Sequence, residues 1–269
     1  MIPVPVVVVR SSNNATDGRF RNLLNSIVNG LREAIFLFRY LRHKKNVMNI
    51  ASFIDHTLLK PTASKEDVRQ LCTEAEEYGF AAVCVPPYHI RTAVEALGES
   101  NVKIATVVGF PFGYSHYKAK ETEVEKAIAD QVNEVDMVIN LAALKDENAA
   151  YLKEEISSVA SVCTRNSIVL KLIIESGILT DQEIIRCCEF YKEFDVDFLK
   201  TSTGYGDKGA SVEAVRIMRQ HLPAHIKIKA SGGIKSFDFA NALIEAGATR
   251  LGCSASVSIV KGGSTSAAY

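Results

Sequence analysis

Two lysines in this sequence stand where apolar runs give way to small, glycine-rich stretches. Lys200 closes Asp195-Val196-Asp197-Phe198-Leu199-Lys200 and is followed by Thr201-Ser202-Thr203-Gly204-Tyr205-Gly206. Lys229 closes Ile226-Lys227-Ile228-Lys229 and is followed by Ala230-Ser231-Gly232-Gly233-Ile234. At the end of a buried strand an ammonium is poorly hydrated, and a second cation nearby disfavours it further. One of two such amines can then be neutral and nucleophilic near neutral pH. The glycine pair after Lys229 suits a phosphate, because bare backbone N–H groups can approach an oxyanion closely. Together these features point to Schiff-base chemistry on a phosphorylated carbonyl compound.

Other polar residues close apolar runs: Asp55, Cys84, Asp136 and Lys171. Each has an ordinary structural alternative. An aspartate at a strand end is commonly a cap, a cysteine a small buried apolar residue, and a lysine a side chain that snorkels to water. Asp136, inside Glu134-Val135-Asp136-Met137-Val138-Ile139-Asn140, is costly to bury unless paired, and Lys200 or Lys229 can pair it. Lys171, in Val169-Leu170-Lys171-Leu172-Ile173-Ile174-Glu175, poses the same problem, so a structural salt-bridge cluster is the competing explanation. A second candidate phosphate stretch is Leu251-Gly252-Cys253-Ser254-Ala255-Ser256, which opens a short helix.

The elements that must position these residues follow from hydrophobic period. Strand-like runs are expected at 52–59, 81–85, 103–108, 134–139, 168–174, 196–200, 226–230 and 249–252. Helical runs are expected from Ser64 to Tyr78, Pro87 to Leu97, Lys118 to Gln131, Asn148 to Arg165, Thr180 to Tyr191, Ser211 to His221 and Phe237 to Ala246, with a last one after Ser254. Ser64 and Thr180, each with an acidic residue three positions on, read as capping boxes. Strict alternation implies a parallel sheet covered by helices, and eight βα units close most naturally into a single (β/α)8 TIM barrel. In that fold every strand end faces one mouth, which would bring the candidates together. A doubly wound sheet would want a Gly-x-Gly-x-x-Gly turn after the first strand, and Asp55-His56-Thr57-Leu58-Leu59-Lys60-Pro61 is unlike one.

Residues 1–47 differ from the remainder. Phe20, Leu23, Leu24, Ile27, Leu31, Ile35, Phe38 and Leu41 recur at helical spacing among basic residues, the pattern of a basic amphipathic helix. This extension reads as sequence upstream of a true start at Met48, as a targeting or membrane-surface segment, or as a helix packed on the main domain. Residues 48–269 read as the barrel. Residues 1–48 carry eight basic and two acidic residues, a local +6, and since the whole chain is neutral the rest is −6. A mildly acidic body argues against a nucleic-acid surface. The 47% hydrophobic content is enough for a sizeable core, and Met1–Val9 is too short to span a bilayer, so no membrane partner is expected for the barrel. The six cysteines form no Cys-x-x-Cys pair, which fits reduced thiols in the cytoplasm. The histidines are read as forming no ligand pair, so no metal is expected.

Over Met48–Tyr269 the chain resembles the deoxyribose-phosphate aldolases, class I aldolases of (β/α)8 fold. The motifs that carry the resemblance are Asp55-His56-Thr57-Leu58-Leu59-Lys60-Pro61, Ala82-Val83-Cys84-Val85, Val107-Val108-Gly109-Phe110-Pro111, Val135–Asn140, Lys171–Glu175, Phe198–Gly204 and Lys229–Gly233. The resemblance implies reversible cleavage of 2-deoxy-D-ribose 5-phosphate to D-glyceraldehyde 3-phosphate and acetaldehyde, without a cofactor. It assigns the Schiff base to Lys200, the lowering of its pKa to Lys229 and proton relay to Asp136. It implies further that Thr203, Gly204, Gly232, Gly233, Gly252 and Ser254 hold the phosphosugar, with Asp55, Cys84 and Lys171 also lining the substrate site, and that the protein is a homo-oligomer, a dimer or a tetramer. Two features depart from the pattern. Ala255 stands where some members have a second serine, which would remove one phosphate hydrogen bond, and the extension before Met48 has no counterpart in the family core. Tyr269, after Gly262-Gly263-Ser264-Thr265-Ser266, could reach the mouth as a proton donor. The alternatives are another phosphosugar barrel enzyme, transaldolase-like or an isomerase, and a non-catalytic phosphosugar-binding barrel.

Overall fold

The computed structural model describes residues 50–263 together with Val28, Gly30 and Leu31. The chain divides into two compact units, Met1–Asn46 and Val47–Tyr269. The amphipathic extension, apart from those three helical residues, and Tyr269 lie outside the described residues.

The strands are β1 (Ile54–Thr57), β2 (Ala82–Val85), β3 (Lys103–Val108), β4 (Glu134–Val138), β5 (Val169–Ile173), β6 (Phe198–Lys200), β7 (Lys227–Ser231) and β8 (Arg250–Cys253). All neighbours pair in parallel, and β8 returns to β1 with Gly252 beside Asp55, closing the barrel. The helices are α1 (Lys65–Tyr78), α2 (Ile90–Leu97), α3 (Tyr117–Ala129), α4 (Leu141–Lys145), α5 (Ala149–Arg165), α6 (Asp181–Tyr191), α7 (Val212–His221), α8 (Phe237–Glu245) and α9 (Ser256–Val260). The TIM barrel expected from the alternation is the observed fold. Both capping boxes form, Ser64 with Asp67 and Thr180 with Glu183, and each satisfies backbone N–H groups at its helix start. Two details differ. The run from Pro87 begins as a 3-10 turn over Pro87–His89 before α2 starts at Ile90, and α4 is an additional short helix capped by Asn140.

Side-chain alternation divides each strand between two environments. Val83, Val85, Val135, Met137, Leu170, Leu172, Leu199, Ile228, Ala230 and Leu251 join the main core, where strands meet helices. Their neighbours Cys84, Ala105 and Val107 form a separate small apolar cluster with Leu59, backed by Phe110. The alternate face of β1 and β4 to β8 carries the charged residues Asp55, Glu134, Asp136, Lys171, Lys200, Lys229 and Arg250 among uncharged ones such as Val138, Ile173, Phe198 and Gly252. Among the described residues, no helix is long and apolar enough to cross a membrane.

Candidate active site

Register brings the charged residues together. Asp136 of β4 lies beside Lys171 of β5, Lys200 of β6 beside Lys229 of β7, and Lys229 beside Arg250 of β8. Asp136 is the hub. Its Oδ2 accepts from Lys200 Nζ at 2.6 Å and Lys229 Nζ at 2.7 Å, and its Oδ1 accepts from Lys171 Nζ at 2.8 Å. Lys229 also donates to Asp55, which accepts from Arg250 Nη1 at 2.6 Å. Lys171 and Arg250 share Glu134, at 2.5 and 3.3 Å.

The network holds four cations, Lys171, Lys200, Lys229 and Arg250, against three carboxylates, Asp55, Glu134 and Asp136. Buried charge is costly unless balanced, so the cluster is neutral only when one cation gives up its proton. Lys200 has the weakest hold on one. Burial pushes its ammonium below the usual lysine range and Lys229 adds to the shift, against a single opposing carboxylate, Asp136. Burial acts in the same direction on Lys229 and Lys171, but Asp136 with Asp55, and Asp136 with Glu134, more than reverse it and hold both above the usual range. Burial would raise the Asp136 carboxyl, but the three lysines around it hold it well below the usual range. Asp55 is likewise opposed by burial and brought to about 2 by Lys229 and Arg250. Lys200 is 3% exposed and Lys229 1%. The two amines therefore share one water-poor space, as the sequence required.

The other expected residues fall around this centre in different ways. Cys84 is fully buried in the inner apolar cluster, and burial pushes its thiol up to about 11. Gly252 lies within β8. A Cβ there would stand 2.8 Å from Ser231 Cβ and 3.2 Å from Lys229 Cε, so its bareness makes room for the Lys229 stem. Gly204 and Gly232 both have φ +88°, and Gly233 follows at +74°. The backbones of the β6 and β7 loops nearly touch. A Cβ on Gly209 would lie 2.2 Å from the Gly232 carbonyl oxygen, and Ala210 N–H donates to Ser231 O and Gly232 O. Thr203 is committed: its Oγ1 donates to Glu175 Oε2 at 2.5 Å and accepts from Tyr205 N–H at 3.1 Å. Ser254 is exposed at the start of the β8 loop and lines a cavity of about 440 Å³ with His56, Thr57, Lys60 and Glu74.

Sequence reasoning passed over Arg250, Glu134, Glu175 and Tyr205. Arg250 and Glu134 each stand two residues before a residue that it singled out, Gly252 and Asp136, and period-2 alternation was the signal that could have found them. Tyr205 reaches across the mouth, its phenol donating to Leu59 O at 2.8 Å and its ring edge-on to Phe110 at 5.5 Å. His221 and His225 do stand four apart, contrary to the reading of the histidines. α7 ends at His221 and Pro223 intervenes, so they share no helical face. Among the described residues, no group of three or more His, Cys, Asp or Glu side chains is placed to hold a metal ion.

A sequence model described as "DeoC/LacD family aldolase" matches residues 50–259. The chain belongs to this aldolase family. It is a carbon–carbon lyase by that membership. The aldolase is 47% identical over 222 residues to the deoxyribose-phosphate aldolase of Caldanaerobacter subterraneus, covering 82% of this chain and 96% of that one. It is 49% identical over 217 residues to the deoxyribose-phosphate aldolase of Thermococcus gammatolerans, covering 80% and 96%. Among solved structures it resembles a tetrameric deoxyribose phosphate aldolase from Aeropyrum pernix, with a TM-score of 0.75 at 30% identity over 80% of this chain and 91% of that one.

Proposed function

We propose that this aldolase cleaves 2-deoxy-D-ribose 5-phosphate reversibly to D-glyceraldehyde 3-phosphate and acetaldehyde through a Schiff base on Lys200. The observation that carries the reading is Lys200's place as the unmatched cation of a buried cluster, which favours a neutral amine where a nucleophile is needed. The amine adds to the C1 carbonyl, and loss of water from the carbinolamine gives an iminium. Removal of the C3 hydroxyl proton then breaks the C2–C3 bond. Its electrons pass into the iminium, glyceraldehyde 3-phosphate leaves, and an enamine remains on Lys200. Protonation of the enamine carbon and hydrolysis release acetaldehyde and restore the amine.

Asp136 and Lys229 form a continuous hydrogen-bonded path to Lys200 Nζ along which protons for dehydration and cleavage can move, with a water completing the reach to the sugar. Lys171, buried and bound to Asp136 and Glu134, serves as a fixed counter-charge behind Asp136. The phosphate is assigned to Gly204, Gly232, Gly233 and Ser254, and Gly252 acts through the space it leaves for Lys229. The activity is assigned to residues 48–269. The buried free thiols fit a cytoplasmic setting, and a homo-oligomer is proposed from the tetrameric relative.

Borohydride reduction in the presence of acetaldehyde, followed by peptide mass mapping, tests the reading. A reduced adduct is expected at Lys200 and absent in Lys200→Leu. An adduct at Lys229 or Lys171 instead, or none at all, refutes it.

A further inference from the structure

Four hydroxyls lie packed beneath the glycine loops of β6 and β7, and three of them are committed. Thr201 Oγ1 donates to Ser231 O at 3.2 Å and accepts from Ser231 N–H at 3.1 Å. Thr203 Oγ1 is held by Glu175 and Tyr205 N–H, as above. Ser231 Oγ donates to Ser202 O at 2.6 Å. The fourth, Ser202 Oγ, has no partner although Ser202 is fully buried.

Burying a hydroxyl with nothing to bond is costly, and alanine would fill the same space without that cost. The position of Ser202 gives the hydroxyl a use. A Cβ on Gly232 would meet Ser202 Cβ at 3.5 Å, Gly204 Cα at 3.3 Å and Gly209 Cα at 3.0 Å, so Ser202 lies against the glycines assigned to the phosphate. Gly232 and Gly233 both have positive φ, a backbone form that can turn successive N–H groups toward an anion. The other unpartnered buried atoms serve an anion less well. Glu175 Oε1 belongs to a carboxylate, which only accepts when ionised; Ser176 lies in the turn after β5, whose Gly177 packs against Lys208 and not against Gly232; and His89, Ser115 and Tyr191 lie on or beside α2, α3 and α6.

We propose that Ser202 Oγ is a ligand of the substrate's phosphate, donating its proton to a phosphate oxygen once the β6 and β7 loops receive it. The proposal rests on the phosphosugar reading above and adds a residue to it.

The test compares the full chain with its Ser202→Ala variant in three measurements. KM for deoxyribose 5-phosphate is expected to rise about ten- to a hundred-fold, the loss of one hydrogen bond to a charged group. The rate of borohydride trapping of acetaldehyde at Lys200, a reaction with no phosphate in it, is expected to fall far less. The rise in melting temperature produced by inorganic phosphate is expected to shrink, while the phosphate-free variant melts at the parent temperature or above it. An unmoved KM overturns the proposal. So does a trapping rate that falls by as large a factor as KM rises, which would place Ser202 with the amine rather than the anion. A lower phosphate-free melting temperature also overturns it, because the hydroxyl would then have a partner within the protein. Failure of trapping in the parent enzyme would instead remove the Schiff-base reading itself, so the two failures are distinguishable.

Discussion

Replacing Lys229 by methionine should return a proton to Lys200. Both amines donate to Asp136 Oδ2, at 2.6 and 2.7 Å. Their nitrogens therefore lie within about 5 Å of each other, where two like charges repel by about 3 kcal/mol at an effective dielectric of about 20. That is on the order of two pH units in the Lys200 ammonium. The charge count gives the same sign. Without Lys229, Lys171 and Arg250 alone face Asp55, Glu134 and Asp136, and Lys200 restores balance only by staying protonated. The acid limb of kcat/KM should then move up by about two pH units, so that near pH 7 the variant loses on the order of a hundred-fold in reactive amine. The assay is the pH profile of kcat/KM from pH 5 to about 10, with acetaldehyde trapping at Lys200 followed over the same range. A variant that folds, loses activity and keeps its acid limb in place would refute the electrostatic argument. Lys229 would then act only through proton transfer or shape.

Further outcomes follow from the same network. Asp136→Asn takes the shared carboxylate away from the buried ammonium groups of Lys171 and Lys229, so chemical denaturation should show a loss of about 3–5 kcal/mol alongside the loss of activity. Gly252→Ala places a methyl 2.8 Å from Ser231 Cβ and 3.2 Å from Lys229 Cε. Overpacking of that kind costs about 1–3 kcal/mol, and a lowered melting temperature with reduced kcat is expected. Asp55 titrates at about 2 in the fold against 3.8 ordinarily. A depressed carboxyl stabilises above its unfolded pKa and loses that contribution as pH falls toward the folded one. The stability gap between the parent and Asp55→Asn, read from urea unfolding, should therefore narrow by about 2 kcal/mol between pH 5 and pH 2. An unchanged gap would show that Asp55 is not held by its cations.

Some of this was readable before any fold was known, and the reason is locality. The period-2 and period-3.6 patterns of the barrel and the serine and threonine caps are written within a few residues and reappear in the folded chain, where Lys200 ends β6 but β7 runs on from Lys229 to Ser231. The same local signal misled where burial contradicts character. The charged run expected over Lys118–Gln131 hides Lys120, fully buried, whose ammonium donates to Gly113 O, Val138 O and Glu155 and ties the β3 loop to the end of β4. A lysine of that kind looks in sequence like any other on a solvated helix face.

The sequence by itself determined which side chains could carry the chemistry and on which face of which strand each would stand. Partnership was decided only in three dimensions: that one carboxylate would gather Lys171, Lys200 and Lys229, that Arg250 would hold Asp55 across the β8–β1 closure, and that Lys200 would be the cation left over. Strand pattern fixes the direction of a side chain, whereas the energy of a buried charge depends on every other charge within a few ångströms, and closure of the barrel sets those distances.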